Sequence, residues 1–238
     1  MKFLTILTLA VFIQLKAAAQ MPTKLVYGGI AGTSYKGDLS GYEKWSSSFH
    51  LGLKLNQNHR INSNFNLAFG SVTGQNVNYE FLVDRIPATP NRFFKTTFFS
   101  VNYDVQVNII KKKNIILYLS QGLGFSFFDP EDQFFNKLID QEDTREEGET
   151  YSTTALMLPT QIGIIYFLPN YYGIGFNLGM LNVQTDYLDN ISNWSVNTGN
   201  DNIIWAKFSF YVPISFESQG LIKKKKKETK PEPAKTGL

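Results

Sequence analysis

Ile61-Asn62-Ser63-Asn64-Phe65-Asn66-Leu67-Ala68-Phe69-Gly70 is the stretch that decides the fold. Ile61, Phe65, Leu67 and Phe69 share one parity, and Asn62, Asn64, Asn66, Ala68 and Gly70 occupy the other. Successive side chains of an extended strand point to opposite faces, so this strand is apolar on one side and small or amide-bearing on the other. The pattern recurs with Phe99, Val101, Tyr103, Val105, Val107 and Ile109 against Ser100, Asn102, Asp104, Gln106 and Asn108. It recurs again near the end, with Ile204, Phe208, Phe210, Val212, Ile214 and Phe216 against Trp205, Lys207, Ser209 and Tyr211.

Five further segments repeat the alternation with less contrast. They run from about Leu25 to Tyr35, through Phe49 to Leu55, Ile115 to Phe127, Leu156 to Tyr166, and Tyr172 to Met180. A soluble β-sandwich also alternates, but its polar face meets water and carries Lys and Glu. Here that face carries Asn, Ser, Thr and Gly, as a packed barrel interior requires. Segments of ten residues or more suit a tilted membrane crossing. Aromatic pairs at segment ends, such as Phe93-Phe94, Phe127-Phe128, Tyr166-Phe167 and Tyr171-Tyr172, match the girdles of the two interfaces. The expected fold is all-β, an eight-stranded antiparallel up-and-down transmembrane β-barrel.

Met1 to Ala19 reads as a secretory signal, with Lys2 at the start, an apolar run from Phe3 to Leu15, and small residues Ala17-Ala18-Ala19 for cleavage. The expected organisation is a signal peptide over 1–19, a barrel over 20–216 and a disordered basic tail over 217–238. Short turns are expected at Gln57–Arg60, Lys111–Asn114 and Pro169-Asn170, and long loops at Lys36–Lys44, Gln75–Asn91, Asp129–Thr150 and Thr185–Asp201. Outer-membrane barrels place short turns in the periplasm and long loops outside, which puts both barrel termini in the periplasm. The chain has no cysteine, hence no disulfide, thiolate metal site or lipidation cysteine.

Catalytic signals are sparse. The two histidines are His50 and His59, and His59 falls in a short turn. Ser48 and His50 share a strand face, a fragment of a Ser-His-acid set without an evident third member. No metal-ligand spacing or phosphate loop is present, so no cofactor is expected. Lys54, Asp104 and Lys207 fall on the inward parity, where unpaired charge is costly, and an interior ion network is expected. In the third long loop, Glu131, Asp132, Asp140, Glu142, Asp143, Glu146, Glu147 and Glu149 face only Lys137 and Arg145. There Phe134, Phe135, Leu138 and Ile139 recur at helical spacing, predicting a short amphipathic helix. This loop and Lys223, Lys224, Lys225, Lys226 and Lys227 of the tail are candidate partner contacts, the tail for periplasmic or outer-membrane proteins. The export signal argues against nucleic acid as the target of the lysine run.

Gly32-Thr33-Ser34-Tyr35-Lys36-Gly37-Asp38-Leu39 resembles the opening of small outer-membrane barrels from Bacteroidota. Phe69-Gly70-Ser71-Val72-Thr73-Gly74, Gly122-Leu123-Gly124-Phe125 and Thr185-Asp186-Tyr187-Leu188-Asp189 fit the same group. Within it the chain resembles the PorG-like barrels of the type IX secretion machinery. The resemblance implies a non-enzymatic outer-membrane component of protein secretion or gliding, with Asp186 and Asp189 as further candidate contacts. The lysine tail departs from that pattern. Two alternatives stay open: a surface-binding barrel acting through the acidic loop, and a lipid-modifying enzyme built around His50.

Overall fold

The computed structural model of the chain describes residues 22–57, 59–83, 86–88, 91–141, 145–194 and 199–216. The signal segment and the tail, with Lys223 to Lys227, lie outside the described residues, as do Glu142 and Asp143.

Eight strands form the wall. In chain order they are β1 (Pro22–Lys36), β2 (Gly41–Leu55), β3 (Ile61–Gln75), β6 (Phe93–Lys111), β7 (Ile115–Glu131), β9 (Thr160–Phe167), β10 (Gly173–Met180) and β11 (Asn202–Phe216). Each pairs antiparallel with its neighbours in the order β6-β3-β2-β1-β11-β10-β9-β7, and β6–β7 pairing closes the ring. A small hairpin, β4 (Phe81–Val83) and β5 (Ile86–Ala88), lies in the second outer loop. A short strand β8 (Thr154–Met157) pairs with β7 above β9. The expected sixth strand is therefore broken at Leu158-Pro159, where proline has no N–H for the ladder.

The register gives the stagger of the barrel. One line of paired residues starts at Leu117 on β7 and passes through Ile164, Phe176, Phe208, Ile30, Phe49, Phe69 and Phe99. It returns to β7 at Phe127, ten residues beyond its start. A stagger of that size tilts the strands by about 40° to the barrel axis.

Burial is inverted relative to a water-soluble protein. Ile30, Phe49, Phe69, Phe99 and Phe208 are exposed on the outer surface, while Asn64, Asn66, Asn102, Asp104 and Gln106 are buried inside. A closed ring with an apolar exterior satisfies every ladder hydrogen bond and leaves no edge, which is what a lipid bilayer demands of a β-structure. Two residues nearer the outer loops, Ser47, Ser71, Thr97 and Asp129 replace the Phe row, marking where lipid gives way to water on that side. β6 has 19 residues and β7 has 17, against the roughly 9–11 that a crossing needs. The wall on that side therefore stands well clear of the membrane.

Two expected loops differ. The first is only Gly37–Ser40, closed by the Gly37 N–H donating to the Ser40 carbonyl at 3.0 Å. A side chain at Gly37 would strike Tyr35 and Asp201, so glycine permits this tight return. In the third loop the amphipathic helix does not form. Asp132 draws the backbone into a turn, Phe135 takes a left-handed φ of 66°, and only a single 3-10 turn, Leu138–Asp140, follows.

Candidate functional site

The lumen is filled in three layers. At the short-turn end Leu25, Tyr27, Ile116, Tyr118, Ile165, Phe167 and Tyr211 form an apolar plug. At the outer end Tyr35, Leu39, Val72, Phe94, Phe98, Met157, Leu188, Ile191 and Ile203 form a second, larger one. Polar side chains occupy the space between. An aqueous path through the barrel has no room in this packing.

The middle layer holds the three charges expected inside. Asp104 accepts from Asn64 Nδ2 at 2.9 Å, from Gln161 Nε2 at 3.0 Å, and from Asn102 Nδ2. Lys54 donates to Gln106 Oε1, and its ammonium lies 4.3 Å from the Tyr118 ring centre and 5.6 Å from that of Tyr27. Lys207 sits over the indole of Trp205 at 3.0 Å. Among the described residues neither lysine forms a direct ion pair with Asp104. Amides and aromatic faces take the charges, and cation–π contacts are strongest where water is excluded.

His50 and Ser48 are both buried on the inner face, but they are not partners. Ser48 Oγ donates to the Ala31 carbonyl at 3.5 Å, whereas His50 Nε2 meets Ser209 Oγ at 2.8 Å. Among the described residues no carboxylate is hydrogen-bonded to the imidazole, so no Ser-His-acid set is assembled around it. No group of three or more potential ligands stands close enough to hold a metal ion among the described residues.

The outer mouth is the most constructed part of the molecule. Residues Thr185 to Ile191 of the fourth loop fold inward over the second plug, burying Leu188 and Ile191 completely. Leu188 N–H donates to Asp201 Oδ2 at 2.8 Å and Ile191 N–H to Asp189 Oδ1 at 2.9 Å. Tyr35, from the end of β1, lies between the two carboxyls, its hydroxyl 2.6 Å from Asp189 Oδ2 and 2.8 Å from Asp201 Oδ1. Asn91 Nδ2 donates to the Asp189 carbonyl at 2.8 Å, tying the second loop to the fourth. Asp189 is thus fully buried and does not face a partner, while Asp186 is half-buried. Burial pushes the Asp186 carboxyl up to about 7, with Asp38 and Glu149 adding repulsion.

The third loop presents the opposite arrangement. Asp132 Oδ1 accepts from Phe134 N–H at 2.7 Å and Asn136 N–H at 2.8 Å, and Oδ2 accepts from Asn136 Nδ2 at 2.9 Å. The turn so fixed holds Phe134 and Phe135 outward, 71% and 75% exposed. Glu131 and Asp132 flank them, Asp140, Glu146 and Glu147 are exposed nearby, and Lys137 is paired with Asp129 at 2.7 Å.

Sequence reading puts Lys54, Asp104 and Lys207 on the inward parity in a network of ion pairs and amides, and does not foresee the aromatic faces that Lys54 and Lys207 meet. Tyr35, Asp201 and Ser209 were not singled out, because each becomes significant only through a partner more than 150 residues away. The Thr185-to-Asp189 motif was the available signal for the mouth.

The inverted burial, the closed ring and the polar row above the Phe line agree. This is an outer-membrane β-barrel. No protein-family model matches the sequence, and no curated protein matches it. Among solved structures the chain is similar to the attachment invasion locus protein Ail of Yersinia pestis, solved with the heparin analogue sucrose octasulfate. That match has 13% identity and a TM-score of 0.47, covering 80% of this chain and 99% of Ail. Neisserial surface protein A matches at 12% identity and a TM-score of 0.49, covering 81% and 97%. The outer membrane enzyme PagL matches at 12% identity and a TM-score of 0.36, covering 79% and 99%. Likenesses at this level say nothing of what the chain binds or does, and the fold is read from its own strand pairing.

Proposed function

We propose that the protein is a non-enzymatic surface-binding barrel, whose rigid outer wall holds the third loop out as a contact point for an extracellular or cell-surface partner. The observation that carries this reading is the Asp132-fixed turn with Phe134 and Phe135 exposed at its tip. Both side chains stand beyond the polar row that ends the lipid-facing belt, so lipid does not explain their exposure. Two exposed phenylalanines on a pre-organised backbone suit the core of an interface, where aromatics are enriched, and little ordering entropy of the backbone remains to be lost on binding. A bulky residue at positive φ is strained, and such strain persists where the surroundings impose it. The filled lumen favours binding over conduction.

A second reading, an assembly component of type IX secretion or gliding, is supported by the resemblance at Gly32-to-Leu39 and Thr185-to-Asp189. In that reading Lys223 to Lys227 are the periplasmic contact.

A photoreactive side chain placed at Phe135 in intact cells tests the two readings together. The surface reading expects cross-links to an extracellular or surface partner that a chain ending at Phe216 still forms. Cross-links lost with the tail and absent from position 135 would favour the assembly reading.

A further inference from the structure

We propose that the loop from Thr185 to Ile191 is a proton-locked lid on the outer mouth, held shut by a proton shared among Tyr35, Asp189 and Asp201 and released when that proton is lost. The geometry requires the proton. The Tyr35 hydroxyl carries one hydrogen, and its oxygen already accepts from the Asp38 N–H at 3.1 Å. That hydroxyl lies at hydrogen-bond distance from a carboxyl oxygen of each aspartate, 2.6 Å and 2.8 Å. It can donate to one of them, so the other contact needs a carboxyl that donates in return.

Among the described residues the surroundings supply no paired counter-charge. Both carboxyls are fully buried, and among the described residues neither has an ion pair. The titratable groups facing them are Tyr35 from β1, Asp38 from the first loop, Asp186 from the lid and, facing Asp186, Glu149 from the third loop. β3 and β6 contribute Val72, Phe94 and Thr96, none of them charged. Lys36, the lysine nearest in sequence, is exposed and lies over the Tyr42 ring. Burial raises both carboxyls above the ordinary range. Asp38 and Asp186 add repulsion at Asp189, Asp189 and Asp186 add it at Asp201, and the hydrogen bonds from Tyr35, Ile191 N–H and Leu188 N–H oppose the rise without cancelling it.

The sign follows from linkage. A carboxyl that holds its proton more tightly in the closed state favours closure at low pH, and closure weakens as pH rises through that raised value. Ionising both groups places two buried like charges on one hydroxyl. Ionisation strengthens the bonds from Leu188 N–H and Ile191 N–H. It is the repulsion between the two buried carboxylates, around a hydroxyl that can serve only one of them, that drives Asp189 away from Asp201, frees the lid and uncovers the plug formed by Tyr35, Leu39 and Phe94.

The chain has no cysteine, so spin labels can be placed cleanly at Asn193→Cys beside the lid and Gln75→Cys on the β3 rim. In lipid nanodiscs, electron–electron distance measurements should give one short, narrow distribution at pH 6 and a longer, broader one by pH 9.5. Asp189→Asn and Asp201→Asn each remove one of the two charges, so each should keep the short distribution at pH 9.5. The two are tested separately, with folding checked by heat-modifiable gel mobility, so that failure of one variant to fold leaves the other. A wild-type distribution unchanged up to pH 9.5 would overturn the proposal, as would opening of both asparagine variants at the wild-type pH.

Discussion

His50 and Ser209 meet across Gly29. Gly29 on β1 is paired with His50 on one side and Ser209 on the other, and the imidazole and hydroxyl join over it at 2.8 Å. A side chain at Gly29 would run into the backbone of β11 at Phe208 and Ser209. The glycine thus sets the close approach that lets two strands, each hydrogen-bonded to β1, also bond through their inward side chains.

Two consequences follow for this contact. Gly29→Val should lower stability by about 1–3 kcal/mol through overpacking, seen as an earlier denaturant midpoint in detergent. His50→Ala should cost about 1–3 kcal/mol by leaving the buried Ser209 hydroxyl unpaired. The same variant should leave the lipid composition of cells unchanged. A lipid change abolished by His50→Ala would instead revive an enzymatic role.

The luminal charges should respond unequally. Asp104 is bonded to Asn64, Asn102 and Gln161 and to neither lysine. Asp104→Leu therefore leaves three buried amides without their acceptor and removes the nearby negative charge from both cations, and should cost more than about 1–3 kcal/mol. Lys54→Met removes one cation while the residue's aromatic surroundings, Tyr27 and Tyr118, remain, and should cost clearly less. Adding Lys54→Met to Asp104→Leu should recover part of the loss. Equilibrium unfolding of the three variants in one detergent checks the order.

The barrel interior was legible at the level of parity. Alternation from Ile61 to Gly70 placed Asn62, Asn64 and Asn66 inside, because a period of two leaves no other face for them. The pairings within the lumen were not legible, since Lys54 meets Gln106 across the intervening β3 and His50 meets Ser209 only once β1 pairs with β11. The helix expected at Phe134 to Ile139 failed for a local reason. The chain folds back on itself there, with Asp132 N–H donating to the Asn136 carbonyl at 2.9 Å, Glu131 bridged antiparallel to Lys137 and Phe135 in the left-handed region, which spacing alone does not reveal. In the sequence Asp189 reads as a candidate partner contact and Asp201 as the end of the fourth loop, and their burial against Tyr35 is a tertiary fact.

Filled layers at both ends make a further expectation about transport. The intact barrel should show no steady conductance in planar bilayers. Tyr118→Ala combined with Tyr211→Ala empties part of the periplasmic plug and should introduce intermittent openings. Stable, uniform conductance from the unaltered chain would mean that the lumen is not packed as described.

The third-loop turn separates pre-organisation from contact. Asp132→Ala removes three hydrogen bonds to the turn but leaves both phenylalanines in place. Partner binding should weaken several-fold, with the denaturant midpoint of the barrel shifting little because the turn is exposed. Equal binding would show that the turn geometry is not used.

The surface-binding role is tested most directly by purification from native outer membranes in mild detergent. Three forms are compared: the full chain, a chain ending at Phe216, and Phe134→Ser combined with Phe135→Ser. A surface-binding barrel brings its partner down with the first two forms and loses it with the third, while all three fold. A partner kept by the serine variant and lost with the tail would contradict it, and would move the contact from the outer loop to the periplasm.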